Sequence, residues 1–445
     1  MLFSSISFVF LFLPLFLLTY YLIPKKYRNI PLFLGSLVFY ALGELTYLPL
    51  LIATLLINYI VSKVLYSWEG RRRRYLLIYV LLYNFGILLG FKYLSDSIPL
   101  GISFYTFQIT AYVVDVYRER IKPARSVLEI GTYLCLFPQL IAGPIILYPD
   151  IMGQIRSRTY RMENMEDGLK TFVLGLSSKI LIADVLGKLW NEIQVTGYES
   201  ISTPMAWLGA VAYSFEIFFD FNGYSLMAIG LGKMLGFKIP KNFDKPNLSR
   251  SVSEFWRRWH ITLGSWFRDY VYIPLGGSRG GTAGTIRNLL VVWLFTGMWH
   301  GKGWNFILWG MSIFVLIVLE KLGLEKFLQR HIVISRIYML FYIPLSWVIF
   351  AVNDIREVGV YFSRLFPFLS SEQALYVNPN DMENALMRYG IFFVAALLLC
   401  SRLPSKIYAG CKEKAVGILA LFALFGCSVA GMLLNASNPF LYFRF

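Results

Sequence analysis

The stretch FTGMWHGKGWNFILWG, residues 295–310, places His300, one of only three histidines in the chain, between two long apolar segments. The apolar run that begins at Asn288 reaches this histidine after about 20 Å of helix, which is less than the hydrocarbon thickness of about 30 Å. Gly301 and Gly303 then loosen the helix. The sequence therefore predicts that His300 lies inside a membrane at a helix break, either as a structural residue satisfied by a neighbouring carbonyl or as a general base.

The composition is typical of a protein that crosses a membrane several times. Hydrophobic residues make up 57% of the 445 residues and charged residues only 15%. In soluble domains about half of the residues are apolar and about a quarter are charged. The first apolar run has no basic residues before it and no small-residue cleavage pattern after it, so it is interpreted as a retained helix. The long apolar runs are residues 8–23, 47–65, 75–91, 305–320, 338–352, 389–400 and 416–434.

Basic residues cluster at the ends of the apolar runs and give the chain a formal net charge of +16. This is the positive-inside pattern of membrane proteins, and it argues against a nucleic-acid-binding surface. It predicts that the basic loops face the cytoplasm and that both termini lie outside. The loops carry KKYR (25–28), RRRR (71–74), RERIKPAR (118–125), RSRTYR (156–161) and KEK (412–414).

Neither the cysteines nor the glycine-rich segments indicate a metal or phosphate-loop site. GGSRGG (276–281) and GLGKMLG (230–236) lack the spacing of a phosphate loop and are expected to be turns or close helix contacts. The third histidine, His331, lies among charged residues and is expected at the surface. The cysteines show no metal-ligand spacing and are interpreted mostly as packing residues; they are Cys135, Cys400, Cys411 and Cys427.

The segment from residue 97 to 310 differs from ordinary spans, because Gly, Pro, Asn and charged residues interrupt its apolar runs. Such groups survive at membrane depth only when they are buried in protein or face a water-filled cavity, so a site or a tunnel is expected here. Its carboxylates are expected to have structural partners, with Lys179 paired to Asp184, and the alternative is a direct catalytic role. The carboxylates concerned are Asp115, Asp184, Glu216 and Asp220.

Residues 253–272 are expected to form one helix with an aromatic face and a cationic face. One interpretation is an interfacial helix with its aromatic residues in lipid and its cations at the headgroups. The other is that the cationic face lines a passage for an anionic cofactor. The aromatic face comprises Trp256, Trp259, Trp266, Phe267 and Tyr270, and the cationic face comprises Arg257, His260, Gly264 and Arg268.

Taken in order, several segments resemble the membrane-bound O-acyltransferase (MBOAT) superfamily, and within it the alginate O-acetylation (AlgI-like) branch. The resemblance covers about half of the chain directly and most of its length in order, and an ordered series that ends in Trp-His-Gly is specific. The segments are LGISFYTFQITAYVVDVYR (100–118), LFPQLIAGPI (136–145), SSKILIAD (177–184), FDFNGYSLMAIGLGKMLGF (219–237), NFDKPNLSRSVSEFWRRWHITLGSWFRDYVYIPLGG (242–277), RNLL (287–290), GMWHGKGWNFILWG (297–310) and NPFLYFRF (438–445).

The resemblance implies an all-α polytopic membrane fold of about eleven or more transmembrane helices, with re-entrant helices around a central funnel or tunnel. It implies a single integral membrane domain over residues 1–445. Within it, N-terminal helices occupy 1–96, the catalytic core 97–310, and the C-terminal helices with an exported tail 311–445. The resemblance also places the protein in the bacterial cytoplasmic membrane.

The chemistry implied by the resemblance is transfer of an acyl group, expected to be acetyl, from a cytoplasmic thioester such as acetyl-CoA to a hydroxyl of an extracytoplasmic polysaccharide. His300 matches the family's catalytic histidine and His260 its usual companion. No metal and no permanently bound cofactor are expected. The candidate donor-binding residues, which include guanidinium groups suited to phosphate oxygens, are Arg257, Arg258, Arg268, Trp299 and Asn305.

The C-terminal tail has two interpretations. Tyr442 is either an aromatic anchor at the membrane interface or the residue that takes the acyl group as a transient ester. Because the branch works with a separate extracytoplasmic SGNH or esterase-like transferase, such a partner is expected here, together with membrane lipids and a polysaccharide acceptor. The sequence does not choose among exopolysaccharide, peptidoglycan and teichoic acid.

Two alternatives to acetyl transfer stay open. The first is transfer of D-alanine or another acyl group to a cell-wall polymer. The second is a secondary transporter, since broken helices and intramembrane ionisable groups also mark transport sites. The chain shows no repeated pair of halves, which argues against transport.

Overall fold

The computed structural model describes residues 1–369 and 377–434, and within these ranges the chain forms α-helices and no β-strand. The helices group into two units. The described part of the first unit comprises residues 1–176, 224–241 and 432–434, and that of the second comprises 177–223 and 242–431.

The first unit begins with a π-helical segment, Phe8–Phe12, that continues into α1. Two side chains cap the start of the helix Val127–Cys135: the Ser126 hydroxyl accepts a hydrogen bond from the Glu129 N–H (3.2 Å), and the Glu129 carboxylate accepts one from the Arg125 N–H (2.8 Å). Its helices are α1 Leu13–Leu22, α2 Asn29–Gly43, α3 Leu48–Ser67, α4 Gly70–Leu94, α5 Ile102–Tyr117, α6 Val127–Cys135, α7 Phe137–Leu140, α8 Tyr148–Arg156 and α9 Met162–Ser177.

The second unit contains the remaining helices, except that residues 224–234 and 432–434, at the ends of two of them, belong to the first unit. The π-helical segments Ser178–Ala183 and Glu320–Leu324 join neighbouring helices, and a third, Arg268–Tyr272, continues the helix Ile261–Phe267. The helices are α10 Asp184–Thr196, α11 Thr203–Met234, α12 Val252–Arg258, α13 Ile261–Phe267, α14 Gly281–His300, α15 Trp304–Leu319, α16 Glu325–Arg330, α17 Ile332–Ala351, α18 Ile355–Leu365, α19 Asp381–Cys400, α20 Leu403–Cys411 and α21 Ala415–Leu434.

Six helical stretches among the described residues are long and apolar enough to cross a membrane, and the shorter helices Phe8–Leu22 and Asn29–Gly43 are also apolar. In α21 only 11% of the apolar window is buried within the protein, as expected for a helix that faces lipid. The predicted all-α, multi-pass membrane fold is confirmed. The count of eleven or more crossings stays a prediction. The six stretches are Leu48–Ser67, Gly70–Leu94, Trp304–Arg330, Ile332–Ala351, Asp381–Cys400 and Ala415–Leu434.

The two glycine-rich segments have the predicted structural roles. In the first unit, a β-carbon at Gly168 of α9 would lie 2.6 Å from the carbonyl oxygen of Gly230 in α11, so these helices approach closely because both positions lack a side chain. In the second unit, residues 273–280 form turns, in which Gly276 and Gly277 have φ of 106° and 57°. Neither segment forms a phosphate loop.

Candidate active site

Helices α14 and α15 form a tight hairpin, and two glycines make its close approach possible. A β-carbon at Gly297 of α14 would lie 2.7 Å from the carbonyl oxygen of Phe306, and one at Gly310 of α15 would lie 2.6 Å from that of Trp293. Distances this short leave no room for a side chain at either glycine. The end of α14 is therefore held directly against the beginning of α15.

His300 is the last residue of α14, and α15 begins at Trp304. Its side chain lies inside the second unit, since the residue is only 7% exposed. Gly301 follows in an extended conformation, and a β-carbon there would collide with the ring of Phe306. The helix break predicted at this histidine is confirmed.

Aromatic rings surround the His300 imidazole. The ring centroids of Trp299, Trp309 and Phe350 lie 4.6, 4.9 and 5.0 Å from it, and that of Phe306 lies 6.3 Å away. The Trp309 and Phe350 rings stand nearly perpendicular to the imidazole, at 85° and 82°, an edge-to-face arrangement that aromatic pairs favour. The rings fix the plane of the imidazole and make its surroundings poor in water.

Asn305 supports the turn between the two helices of this hairpin. It is completely buried, and its side-chain amide donates hydrogen bonds to the carbonyl oxygens of Ile349 (3.3 Å) and Phe350 (3.2 Å) in α17. The amide therefore ties the start of α15 to the helix that contributes an aromatic ring to the His300 pocket. Direct contact of Asn305 or Trp299 with a donor stays a prediction.

His260 occupies a second break, between α12 and α13, and its backbone is left-handed with φ 44° and ψ 54°. The prediction of one continuous helix over residues 253–272 is therefore wrong. The break is stabilised by Asn242, whose backbone carbonyl accepts a hydrogen bond from the Ile261 N–H (2.9 Å) and whose side-chain oxygen accepts one from the Thr262 hydroxyl (3.0 Å). These contacts replace the hydrogen bonds that a continuous helix would make.

The break also separates the residues predicted to share a cationic face. His260 is buried, whereas Arg257, Gly264 and Arg268 are exposed. The aromatic residues Trp259, Trp266 and Phe267, predicted in one interpretation to face lipid, are buried as well. Both two-face interpretations of this segment are therefore corrected by the interruption at His260.

Hydrogen bonding fixes the tautomer of His260. Its Nδ1 lies 3.1 Å from the Asn242 side-chain oxygen, which also accepts from the Thr262 N–H (3.4 Å). A backbone N–H can only donate, so the shared atom is an acceptor and Nδ1 carries the proton. Burial lowers the pKa of His260 to about 3. The ring is therefore neutral at physiological pH, with its lone pair on Nε2.

A cluster of tryptophans connects the surroundings of the two histidines. Trp259, next to His260 in the chain, packs on Trp347 with ring centroids 4.8 Å apart, and Trp347 packs on Trp309 at 6.1 Å. Trp309 in turn contacts His300 and donates a hydrogen bond to the Ser346 hydroxyl (3.1 Å). The second unit therefore holds both histidines on one aromatic core.

Glu320 connects the end of α15 to the start of α12. Its carboxylate, directly after α15, accepts hydrogen bonds from the Val252 N–H (2.6 Å) and the Ser253 N–H (2.8 Å) at the start of α12. These bonds satisfy backbone donors that the first turn of a helix leaves unpaired. Sequence reasoning missed both Glu320 and Asn242, although Asn242 begins one of the segments that carried the resemblance.

The predicted donor-binding arginines separate into two places. Arg257 and Arg258 line a cavity of about 490 Å³ in the second unit. Arg268 is exposed and forms an ion pair with its neighbour Asp269 at 2.7 Å, and it does not line this cavity. The structure therefore places two of the three predicted arginines together.

Lys179 and two carboxylates form a buried ion cluster. The Lys179 ammonium nitrogen lies 2.6 Å from a carboxylate oxygen of Asp184, the predicted partner. It also lies 2.8 Å from a carboxylate oxygen of Asp220, a partner that the sequence did not identify. All three side chains are at most 8% exposed. The predicted pairing of Lys179 with Asp184 is confirmed, and a structural role for the cluster stays a prediction.

The remaining predicted residues have simpler outcomes. His331 is exposed, as predicted. Tyr442 and the rest of the C-terminal tail lie outside the described residues. Across residues 1–369 and 377–434, no group of three or more His, Cys, Asp or Glu side chains could hold a metal ion.

Comparisons with known proteins identify the family of the chain. The family model for MBOAT, the membrane-bound O-acyltransferase family, matches residues 118–352, which contain both His260 and His300. The chain is 33% identical to "Probable alginate O-acetylase AlgI" of Pseudomonas putida, with 100% of both chains covered. It is 30% identical to the peptidoglycan O-acetyltransferase of Helicobacter pylori, over 100% of this chain and 98% of that protein. It is also 29% identical to the teichoic acid D-alanyltransferase of Streptococcus thermophilus, over 51% of this chain and 58% of that protein. On these findings, the chain belongs to the membrane-bound O-acyltransferase family.

Proposed function

We propose that this O-acyltransferase moves acetyl groups from a cytoplasmic thioester to hydroxyl groups of an extracytoplasmic polysaccharide, and that it works in the bacterial cytoplasmic membrane. Two relatives that match the whole chain are named for O-acetyl transfer, one to alginate and one to peptidoglycan. Because the two named acceptors differ, the proposal extends to polysaccharides as a class.

The observation that carries the proposal is the position of His300. The histidine is buried at the end of α14, among aromatic rings that hold its imidazole plane. A base that activates an alcohol must be held in place, and a thioester must be protected from water until the alcohol attacks. The burial of His300 among aromatic rings supports both parts of this proposal.

In the proposed step, His300 accepts the proton of an acceptor hydroxyl while the hydroxyl oxygen attacks the thioester carbonyl carbon. A C–O bond forms and the C–S bond breaks. The thiolate then takes the proton from the imidazolium, so free thiol leaves and His300 returns to its neutral form. His260, a neutral ring with its lone pair on Nε2, orients the acceptor hydroxyl by accepting a hydrogen bond.

The donor in this proposal is acetyl-CoA, whose phosphates suit the guanidinium groups of Arg257 and Arg258. The acetyl group reaches the polysaccharide with the help of a separate extracytoplasmic esterase-like transferase. Tyr442 is proposed as the first acceptor hydroxyl, which would carry the acetyl group as an ester before the partner receives it.

D-alanyl transfer is the second candidate. It is favoured by the match to a teichoic acid D-alanyltransferase, which covers only about half of each chain. The O-acetyl relatives match the full length. Acetyl transfer is therefore the better supported of the two.

The proposal is tested by incubating the purified full-length protein with acetyl-CoA labelled in its acetyl group. Wild type is expected to acquire alkali-labile label, whereas His300→Ala and Tyr442→Phe are expected to acquire none. The matched control is His331→Ala, because His331 is an exposed histidine away from the pocket. It is expected to label like wild type.

Two results would count against parts of this proposal. Label on Tyr442→Phe equal to that on wild type would exclude the tyrosine ester but leave acetyl transfer intact. Absence of both label and thioester consumption in wild type, with the esterase-like partner and a polysaccharide acceptor present, would exclude acetyl-CoA as the donor.

A further inference from the structure

A cavity of about 490 Å³ in the second unit collects arginines from distant parts of the chain. We call it the arginine cavity, and define it by the five arginines that line it. Two of them were candidates from the sequence, and three were not. The five are Arg250, Arg257, Arg258, Arg336 and Arg402.

Two of these arginines have structural partners. The guanidinium of Arg336 donates hydrogen bonds to the carbonyl oxygens of Leu248 (2.6 Å) and Ser249 (3.3 Å), which fixes the loop before α12. Arg258 forms an ion pair with Glu254 at 2.6 Å. Their charges are therefore already engaged in holding the walls of the cavity.

The other three arginines, Arg250, Arg257 and Arg402, differ from these two in their charge pairing. Within residues 1–369 and 377–434, no salt bridge involves Arg250, Arg257 or Arg402, and all three residues are exposed. Besides Glu254, the lining contains one further carboxylate, Glu325. The cavity therefore has a surplus of positive charge. A bound anion would reduce the repulsion between its guanidinium groups.

We propose that the arginine cavity is a binding site for a phosphate-bearing ligand, with a phosphate group held between Arg250, Arg257 and Arg402. Planar guanidinium groups match phosphate oxygens in pairs, and several of them around one opening suit a group with more than one negative charge. Arg257 lies on the last turn of α12, directly before the break that holds His260. A ligand bound here lies beside the helix that leads to the candidate active site.

Two sources could supply this phosphate. One is the nucleotide part of a CoA thioester, and this assignment rests on the proposed function. The other is the headgroup of an anionic phospholipid. Both would use the same guanidinium groups, so they are distinguished by the probe and by the surrounding lipid.

Binding is measured on the full-length protein in nanodiscs of phosphatidylcholine, with coenzyme A and inorganic pyrophosphate as separate probes. Arg250→Gln and Arg402→Gln are each expected to weaken binding about tenfold, the effect of losing one charge-assisted hydrogen bond. Both side chains are exposed, so these changes leave the core intact. The matched control is Arg330→Gln, on the same helix as three lining residues but outside the lining, which is expected to bind like wild type.

The lipid source is tested in nanodiscs that contain phosphatidylglycerol, by native mass spectrometry of the lipid retained on the protein. Retention by wild type and loss in both variants, without binding of either soluble probe, supports the site with a headgroup as its ligand. Equal binding of every probe by wild type and both variants overturns the proposal. Failure of wild type to bind any of the three probes overturns it as well.

Acetyl transfer measured on the same samples separates this inference from the proposed function. Transfer by wild type together with unchanged binding in the variants would overturn the site and leave the function standing. Arginine-dependent binding of pyrophosphate without any transfer, even with partner and acceptor present, would leave the site standing and overturn the function.

Discussion

His300 and His260 are both buried in the second unit, yet aromatic rings surround His300 whereas Asn242 holds His260 by hydrogen bonds. Packing against several rings fixes the plane of the His300 imidazole. A hydrogen bond to an amide oxygen fixes both the plane and the position of the proton. This difference supports the proposed roles, proton transfer for His300 and a neutral, orienting role for His260.

Backbone conformation separates the two histidines in a second way. His300 completes a regular helix, whereas His260 has φ 44°, a conformation that residues other than glycine rarely adopt. Strained backbone persists where the surrounding structure enforces it, and here the contacts from Asn242 do so. His260 is therefore fixed by its backbone as well as by its ring.

The largest expected effect separates the two roles directly. His300→Asn is expected to lower the rate of acetyl transfer about 1000-fold, because general bases contribute about 100- to 10000-fold. His260→Asn is expected to lower it only about tenfold, since asparagine tolerates the left-handed backbone and only an orienting hydrogen bond is lost. The measurement is the initial rate of transfer from labelled acetyl-CoA. Equal losses would show that both histidines act in the chemical step.

The second prediction concerns the hairpin that holds His300. Gly297→Ala is expected to destabilise the protein by about 1–3 kcal/mol, because the added methyl group must push apart two backbones. Gly284→Ala is the matched control on the same helix, since a β-carbon there meets no atom within 4 Å. It is expected to be neutral or stabilising, because alanine favours a helix more than glycine does.

Thermal unfolding of both variants in the same detergent checks this prediction, with acetyl transfer measured in parallel. If Gly297→Ala loses more acetyl transfer than the unfolded fraction of the protein accounts for, the substitution has displaced His300 in the folded state. Equal unfolding temperatures for the two variants would contradict the close approach of α14 and α15.

The sequence predicted those features that depend on neighbouring residues. Long apolar runs became α3, α4, α15, α17, α19 and α21, because hydropathy and helix length are local properties. The break at His300 was predictable for the same reason, since Gly301 follows it directly. The pairing of Lys179 with Asp184 was predicted from residues only five positions apart, a spacing that the π-helical segment Ser178–Ala183 brings onto one face.

Features stabilised by distant residues were not predicted. Nothing in FWRRWHITL signals a helix break, since the segment has neither glycine nor proline, and the side chain of Asn242 supplies the stabilising contacts. Arg250, Arg336 and Arg402 likewise come together only in the folded chain. Local sequence patterns therefore predicted the helix break at His300 but not the one at His260.

The smallest expected effect tests the hydrogen bond that distinguishes His260. Asn242→Asp replaces the amide oxygen with a carboxylate, which favours the imidazolium and therefore raises the pKa of His260 from its value of about 3. As the pH is lowered from about 8 to 6, the variant is expected to lose acetyl transfer more steeply than wild type, by up to about tenfold. Asn242→Ala is the control, because it removes the acceptor without adding charge.

The free energy of unfolding of Asn242→Asp should depend less steeply on pH than that of wild type, whereas its acetyl transfer should depend on pH more steeply. In wild type the unfolded chain protonates His260 near pH 6.5, whereas the folded chain does so only near 3. The unfolded state therefore binds more protons between these values, and the free energy of unfolding falls as the pH is lowered through this range. Asn242→Asp brings the folded pKa closer to the unfolded one, so its acid-induced loss of stability should be smaller. Steeper loss of activity with shallower loss of stability is a combination that a purely structural role of Asn242 would not produce.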